Sequence, residues 1–168
     1  MSDREAEFRE FVAARMEPLR GLAYLTCGDW QLAEDAVLAA LPKLYAKWNR
    51  IDNHDAYART AVVRAAIDET RRPWWRRERS HSDALPERAE PDSTQAVHDR
   101  LQMRSALRQL PPRQRAVLVL RFLEGLSVEQ TAAALSCPQG TVKVYTARGL
   151  ATLRHIMGAD LEAPYATL

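Results

Sequence analysis

The sequence predicts an all-α protein of two small helical domains joined by a flexible linker. Three observations carry this. Apolar residues recur at spacings of three and four along almost the whole chain, and nothing alternates at period two. Residues 80–94, SHSDALPERAEPDST, hold no apolar periodicity and two prolines, so they read as a linker. Beyond it, Leu126 to Arg154 reads as a short helix, a tight turn and a longer helix.

The first helix covers residues 4–16, with Phe8, Phe11, Val12 and Met16 on one side. Pro18 is expected to interrupt it, and a second helix to run to about Thr26. Gly28 suits a helix C-terminus and Asp29 an N-cap. The next helix, Trp30 to about Trp48, carries Ala33, Val37, Leu41, Leu44 and Trp48 at helical spacing. After a polar connection, Asn49 to Asp55, a further helix runs from about Ala56 to Arg72, with Ala56, Thr60, Val63 and Ile67 as its expected buried stripe. Tyr57, Arg64, Asp68 and Arg71 share one flank of it. That flank leads into Arg71-Arg72-Pro73-Trp74-Trp75-Arg76-Arg77-Glu78-Arg79. Such a run is either a solvated helix end with packed tryptophans or a surface offering phosphate contacts and rings for base stacking.

The second domain starts near Gln95. Val97, Leu101, Leu107 and Leu110 mark one helix, Pro111-Pro112 breaks it, and Arg113 to Glu124 forms another that ends at Gly125. Ser127 is then placed to cap a short helix and Gln130 to close a capping box. The run Ser136-Cys137-Pro138-Gln139-Gly140 ends that helix, and the pattern resumes at Thr141. Val142, Thr146, Gly149, Leu153 and Met157 form the inward stripe of the last helix. Lys143, Val144, Ala147, Arg148, Ala151 and Arg154 face the other way. Small residues framed by cations suit close approach to a polyanion, and the two helices match a helix-turn-helix, whose second helix enters the DNA major groove.

Composition bounds the alternatives. The 168 residues are 46% hydrophobic and 27% charged, with a net charge of only +2, so any nucleic-acid affinity must come from charge distribution. Cys27 and Cys137, the two cysteines, exclude a disulfide framework and suit a reducing cytoplasm. The charged start MSDREAEFREF has no apolar stretch of a secretory signal, and no run approaches membrane-span length. His54, His81, His98 and His155 stand in separate contexts, and no metal-ligand spacing, phosphate loop or nucleophile motif appears. The expectation is a protein that is not an enzyme and takes neither cofactor nor small-molecule substrate.

Three segments in order carry a family resemblance: Ala23–Val37 (AYLTCGDWQLAEDAV), Ala56–Arg72 (AYARTAVVRAAIDETRR) and Leu107–Lys143 (LRQLPPRQRAVLVLRFLEGLSVEQTAAALSCPQGTVK). They resemble the extracytoplasmic-function (ECF) sigma factors, over about residues 5–157. The resemblance implies that residues 1–79 form sigma region 2, 80–94 the linker, 95–157 region 4, and 158–168 a tail. It implies binding to core RNA polymerase and promoter DNA, with an anti-sigma factor as a further partner. For the minus-thirty-five element it points to Gln139, Thr141, Lys143, Val144, Tyr145, Ala147 and Arg148, with Arg113 and Arg115 positioning the DNA backbone. For the minus-ten element it points to Trp48, Asn53, Tyr57, Arg64, Arg71, Arg72, Trp74 and Trp75. Trp48 also continues an apolar stripe and is equally a core residue. Glu34, Asp35 and Leu38 fall on the polymerase-binding surface.

The chain departs from the family at three places. Leu38 and Ala39 replace a glutamine and an acid, Arg64 replaces an asparagine, and Lys143-Val144-Tyr145 stands where the family has Lys-Ser-Arg. An outward valine at 144 is either a methyl-reading contact or a sign that ordinary reading has been lost.

Overall fold

The computed structural model describes residues 2–71 and 95–158; Arg72, Trp74, Trp75, the expected linker and the tail beyond Gly158 lie outside the described residues. The chain divides into two compact units, Met1–Leu85 and Pro86–Leu168. All regular structure among the described residues is helical.

In the first unit, α1 (Asp3–Cys27) is one continuous helix rather than two. Pro18 sits inside it without breaking it. A proline removes one backbone donor and frees the carbonyl four residues earlier. Here Pro18 and Ala14 are both exposed, on the solvent side of the helix, while Leu19, Leu22 and Ala23 hold the next turn to the core. The Ser2 hydroxyl accepts from the Glu5 amide at 3.3 Å and caps the start. Gly28, at φ 75°, closes the end in the left-handed region. The helix α2 (Trp30–Ala46) is capped by Asp29, which accepts from the Leu32 amide at 3.0 Å. It ends two residues before Trp48, which instead opens a single 3-10 turn, Trp48–Arg50.

The third helix, α3 (His54–Thr70), begins two residues earlier than the apolar pattern predicted, because Asn53 caps it by accepting from the Ala56 amide at 3.0 Å. Its buried side is wider than one stripe: Ala58, Val62, Val63, Ala65, Ala66 and Ile67 are buried, whereas Ala56 and Thr60 are half-buried. The core joins Ala33, Ala36, Val37 and Ala40 of α2 to Ala23 of α1 and Ala58, Val62 and Ala66 of α3. Small side chains at these contacts bring the three backbones close.

The second unit holds α4 (Gln95–Arg108), α5 (Pro112–Leu118), α6 (Val128–Leu135) and α7 (Gln139–Met157). Pro112 occupies the first turn of α5, where its missing N–H costs nothing. The helix expected to run to Glu124 widens at Val119–Leu123 into a π-helical turn. There the Glu124 amide reaches the Val119 carbonyl at 3.0 Å, and Gly125 turns the chain at φ 68°. Arg121 donates to the Leu126 carbonyl at 2.7 Å and ties the following loop down. Val117, Ala132 and Val142 form a buried cluster where α5, α6 and α7 meet.

Candidate nucleic-acid interface

The two helices α6 and α7 are set by local hydrogen bonds. The Ser127 hydroxyl accepts from the Gln130 amide at 3.0 Å, and the Gln130 side chain accepts from the Ser127 amide at 2.9 Å. This is the full capping box the sequence predicts. At the other end Ser136 adopts φ 53°. The Cys137 amide donates to the Ala132 carbonyl at 3.0 Å and the Ser136 amide to the Ala133 carbonyl at 3.3 Å. That pair of bonds is a Schellman closure with serine in the place glycine usually takes. Pro138 then precedes the first turn of α7 rather than entering it.

The inward stripe of α7 is anchored. Val142, Gly149 and Leu153 are buried, and Thr146 and Met157 are half-buried. A Cβ at Gly149 would stand 2.9 Å from Leu118 Cδ1, so glycine here permits the α5–α7 approach. With that side fixed, Gln139, Lys143, Val144, Ala147 and Arg148 are exposed together, and so are Gly140, Ala151 and Arg154. Thr141 is half-buried at the helix start. Tyr145 is also half-buried and packs against the Val117–Ala132–Val142 cluster, so its ring belongs to the edge of the core.

The two predicted backbone contacts separate. Arg113 is exposed. Arg115 is only 6% exposed, and its Nη2 donates to the carbonyls of Leu110 at 3.0 Å and Arg108 at 3.3 Å. It closes the end of α4 inside the unit and does not face outward, which corrects its expected place beside Arg113. Adjacent positions on a helix point about 100° apart, and a two-residue step is enough to carry one arginine outside and the other in.

In the first unit, Asn53, Arg64 and Arg71 are exposed and Tyr57 is half-buried, with Lys47 Nζ 5.9 Å from its ring centroid. Asn53 spends its side-chain oxygen on the α3 cap. Trp48 is a correction. It is 4% exposed, with its Nε1 donating to Glu7 at 3.3 Å and Phe8 and Phe11 against its edges. One face is covered by His54, stacked at 3.5 Å between centroids and 1° between planes. Its ring is core and does not lie open to a base. His54 itself carried no sequence signal. Its Nε2 lies 2.9 Å from the Trp48 carbonyl and therefore carries the proton, so this side chain pins both ends of the segment 49–53, whose Ile51 packs on the core while its other residues are exposed. On α2, Leu38 is 54% exposed, while Glu34 and Asp35 are half-buried and Asp35 accepts from Gln31 at 3.2 Å.

Among the described residues no group of three or more histidine, cysteine or acidic side chains is arranged to hold a metal ion. No helix among them is long and apolar enough to cross a membrane.

Comparison with known proteins bears on both units. Residues 100–153 match the family model of sigma-70 region 4. The chain is similar to an RNA polymerase sigma-E factor of Streptomyces coelicolor, 37% identical over 164 residues that cover 94% of this chain and 90% of that one. It is also similar to the ECF RNA polymerase sigma factor SigM of Mycobacterium tuberculosis, 32% identical over 83% of this chain and 71% of that one. Among solved structures it shares its fold with the sigma factor RpoE of Bartonella quintana, crystallised with the anti-sigma factor NepR. The TM-score is 0.67 and the identity 24%, covering 92% of this chain and 98% of that one. With an outward basic helix built on a capped and anchored helix pair, and with relatives matching it across both units, the chain belongs to the ECF sigma factors of the sigma-70 family.

Proposed function

We propose that this chain binds core RNA polymerase and directs it to promoters, gripping each at two points. In this reading residues 95–157 act as region 4 and α7 reads the minus-thirty-five element. Residues 1–79 act as region 2, which binds the polymerase and reads and opens the minus-ten element, and 80–94 join the two. The observation that carries the reading is the outward face of α7, where exposed Lys143, Arg148 and Arg154 frame Val144, Ala147 and Ala151. Arginine or lysine donating to guanine is the commonest specific contact in the major groove, and small side chains let the helix backbone come close. In the same reading exposed Arg113 holds a backbone phosphate.

Opening a promoter requires that an unstacked base be held better outside the duplex than within it. Stacking on an aromatic ring is worth about 1–3 kcal/mol per base, comparable to the unstacking cost. With Trp48 buried, Tyr57 is the ring at hand among the described residues, beside Asn53 and Arg64. Tyr57→Ala is expected to abolish open-complex signal while leaving polymerase binding intact; unchanged opening would remove Tyr57 from the site. Glu34, Asp35 and Leu38 supply the polymerase surface. An anti-sigma factor, of the kind that the Bartonella quintana protein is crystallised with, is the further partner, and exposed Leu38, Leu101 and Leu123 offer apolar surface for one.

Run-off transcription with purified core polymerase on a promoter library tests the proposal. Transcripts starting at a defined distance from a shared pair of elements are expected. Polymerase binding without any transcript would instead make the chain a sigma-like regulator that does not initiate.

A further inference from the structure

Val144 is a large apolar side chain left 45% exposed on α7. It contributes nothing to the core: Val142 fills that place at 0% exposed, and Tyr145 seals its edge. A β-branched residue on a solvent-facing helix position also lowers helix propensity. So folding gives no reason for valine there. Its neighbours along the outward face are Gly140, Ala147 and Ala151, all exposed and none with a polar side-chain atom. Lys143 and Arg154 flank this line on one side and Arg148 on the other.

A base pair lying under that line meets no side-chain donor or acceptor, so hydrogen bonds from this part of the helix cannot discriminate it. What remains is the one apolar group the major groove displays, the thymine C5-methyl. Resting on the promoter-binding reading above, we propose that Val144 is a specificity-determining residue of the minus-thirty-five contact and selects thymine by packing its isopropyl group on the C5-methyl. The single branched side chain projects from a low ridge, so glycine and alanine on either side let it reach the base edge. The flanking cations favour DNA over a protein on this face, because an apolar protein surface would strip their water and return no charge, whereas phosphates return it.

The test uses the full chain with core polymerase and a minus-thirty-five element selected from random duplexes. Each thymine is replaced in turn by deoxyuridine, which deletes only the methyl group. Affinity is expected to fall about fourfold at one or two positions, the equivalent of roughly 0.8 kcal/mol for one buried carbon. Val144→Ala should bind the thymine element more weakly and lose most of its sensitivity to deoxyuridine at those positions. Arg148→Ala should weaken binding yet keep that sensitivity. Cytosine at the sensitive position should bind poorly, and 5-methylcytosine should recover part of the loss. Specific binding that ignores every deoxyuridine, or methyl sensitivity that survives in Val144→Ala, overturns the proposal and leaves the sigma-factor reading standing. Failure to select any element overturns both.

Discussion

At the scale of single residues, two buried positions around the helix pair make opposite predictions. Gly149→Ala improves helix propensity by about 1 kcal/mol. The added methyl, however, would meet Leu118 Cδ1 at 2.9 Å and Cγ at 3.1 Å, and Leu118 is 3% exposed with little room to retreat. Overpacking of this kind costs about 1–3 kcal/mol, so a net loss of about 1 kcal/mol is expected. Thr131 is fully buried at 0% exposed, and its Oγ1 has no hydrogen-bond partner among the described residues. Thr131→Val keeps the shape and removes a hydroxyl that lost water on folding, so a gain of about 1 kcal/mol is expected. Hydrogen exchange at the amides of α7 measures both. Tryptophan fluorescence would not, since all four tryptophans lie in the first unit.

At the scale of elements, capping and proline placement decide where helices start and stop. Ser127→Ala removes the hydroxyl that accepts from the Gln130 amide, leaving only the Ser127 backbone N–H to Gln130 half of the capping box, and should cost about 1 kcal/mol, read again from exchange in α6 and α7. Pro18→Ala restores the missing bond inside α1 and should gain the first unit about 2 kcal/mol, since a helix-interior proline costs about 3 and its stiffening of the unfolded chain returns up to about 1. A denaturation midpoint followed by tryptophan fluorescence that does not rise would show that Pro18 fits α1 without cost. These elements also show what a sequence can and cannot disclose. The capping box and the split of α7 into an anchored and an outward face were legible, because both depend on residues three or four apart. Continuity through Pro18 was not, because it depends on whether water reaches the Ala14 carbonyl, a matter of tertiary exposure. Arg115 was misplaced, and Trp48 stood open between core and DNA surface, for a related reason. An arginine after a proline and a tryptophan at a helix end each suit a core or a DNA surface, and only the packed partners decide. The Trp48–His54 stack joins side chains six apart across a turn, where no helical periodicity applies.

At the scale of the whole molecule, a net charge of +2 must serve a DNA-binding role, so the cations have to be placed rather than abundant. This makes the roles of individual arginines separable by salt. Each phosphate contact adds roughly 0.9 to the slope of log affinity against log salt. A base-edge contact instead discriminates among sequences, at about 1–3 kcal/mol per good pair. Arg113 is exposed in the first turn of α5, and Arg148 stands on the outward face of α7. Arg113→Ala is therefore expected to lower the slope by about one and weaken all promoters alike, leaving their ranking unchanged. Arg148→Ala is expected to change the ranking at one or two base pairs. Binding of the full chain with core polymerase, titrated in salt across a panel of single-base promoter variants, measures both quantities at once. If Arg148→Ala weakened every promoter equally and lowered the slope, Arg148 would be a phosphate contact. Sequence discrimination by α7 would then fall to Lys143, Val144 and Gln139.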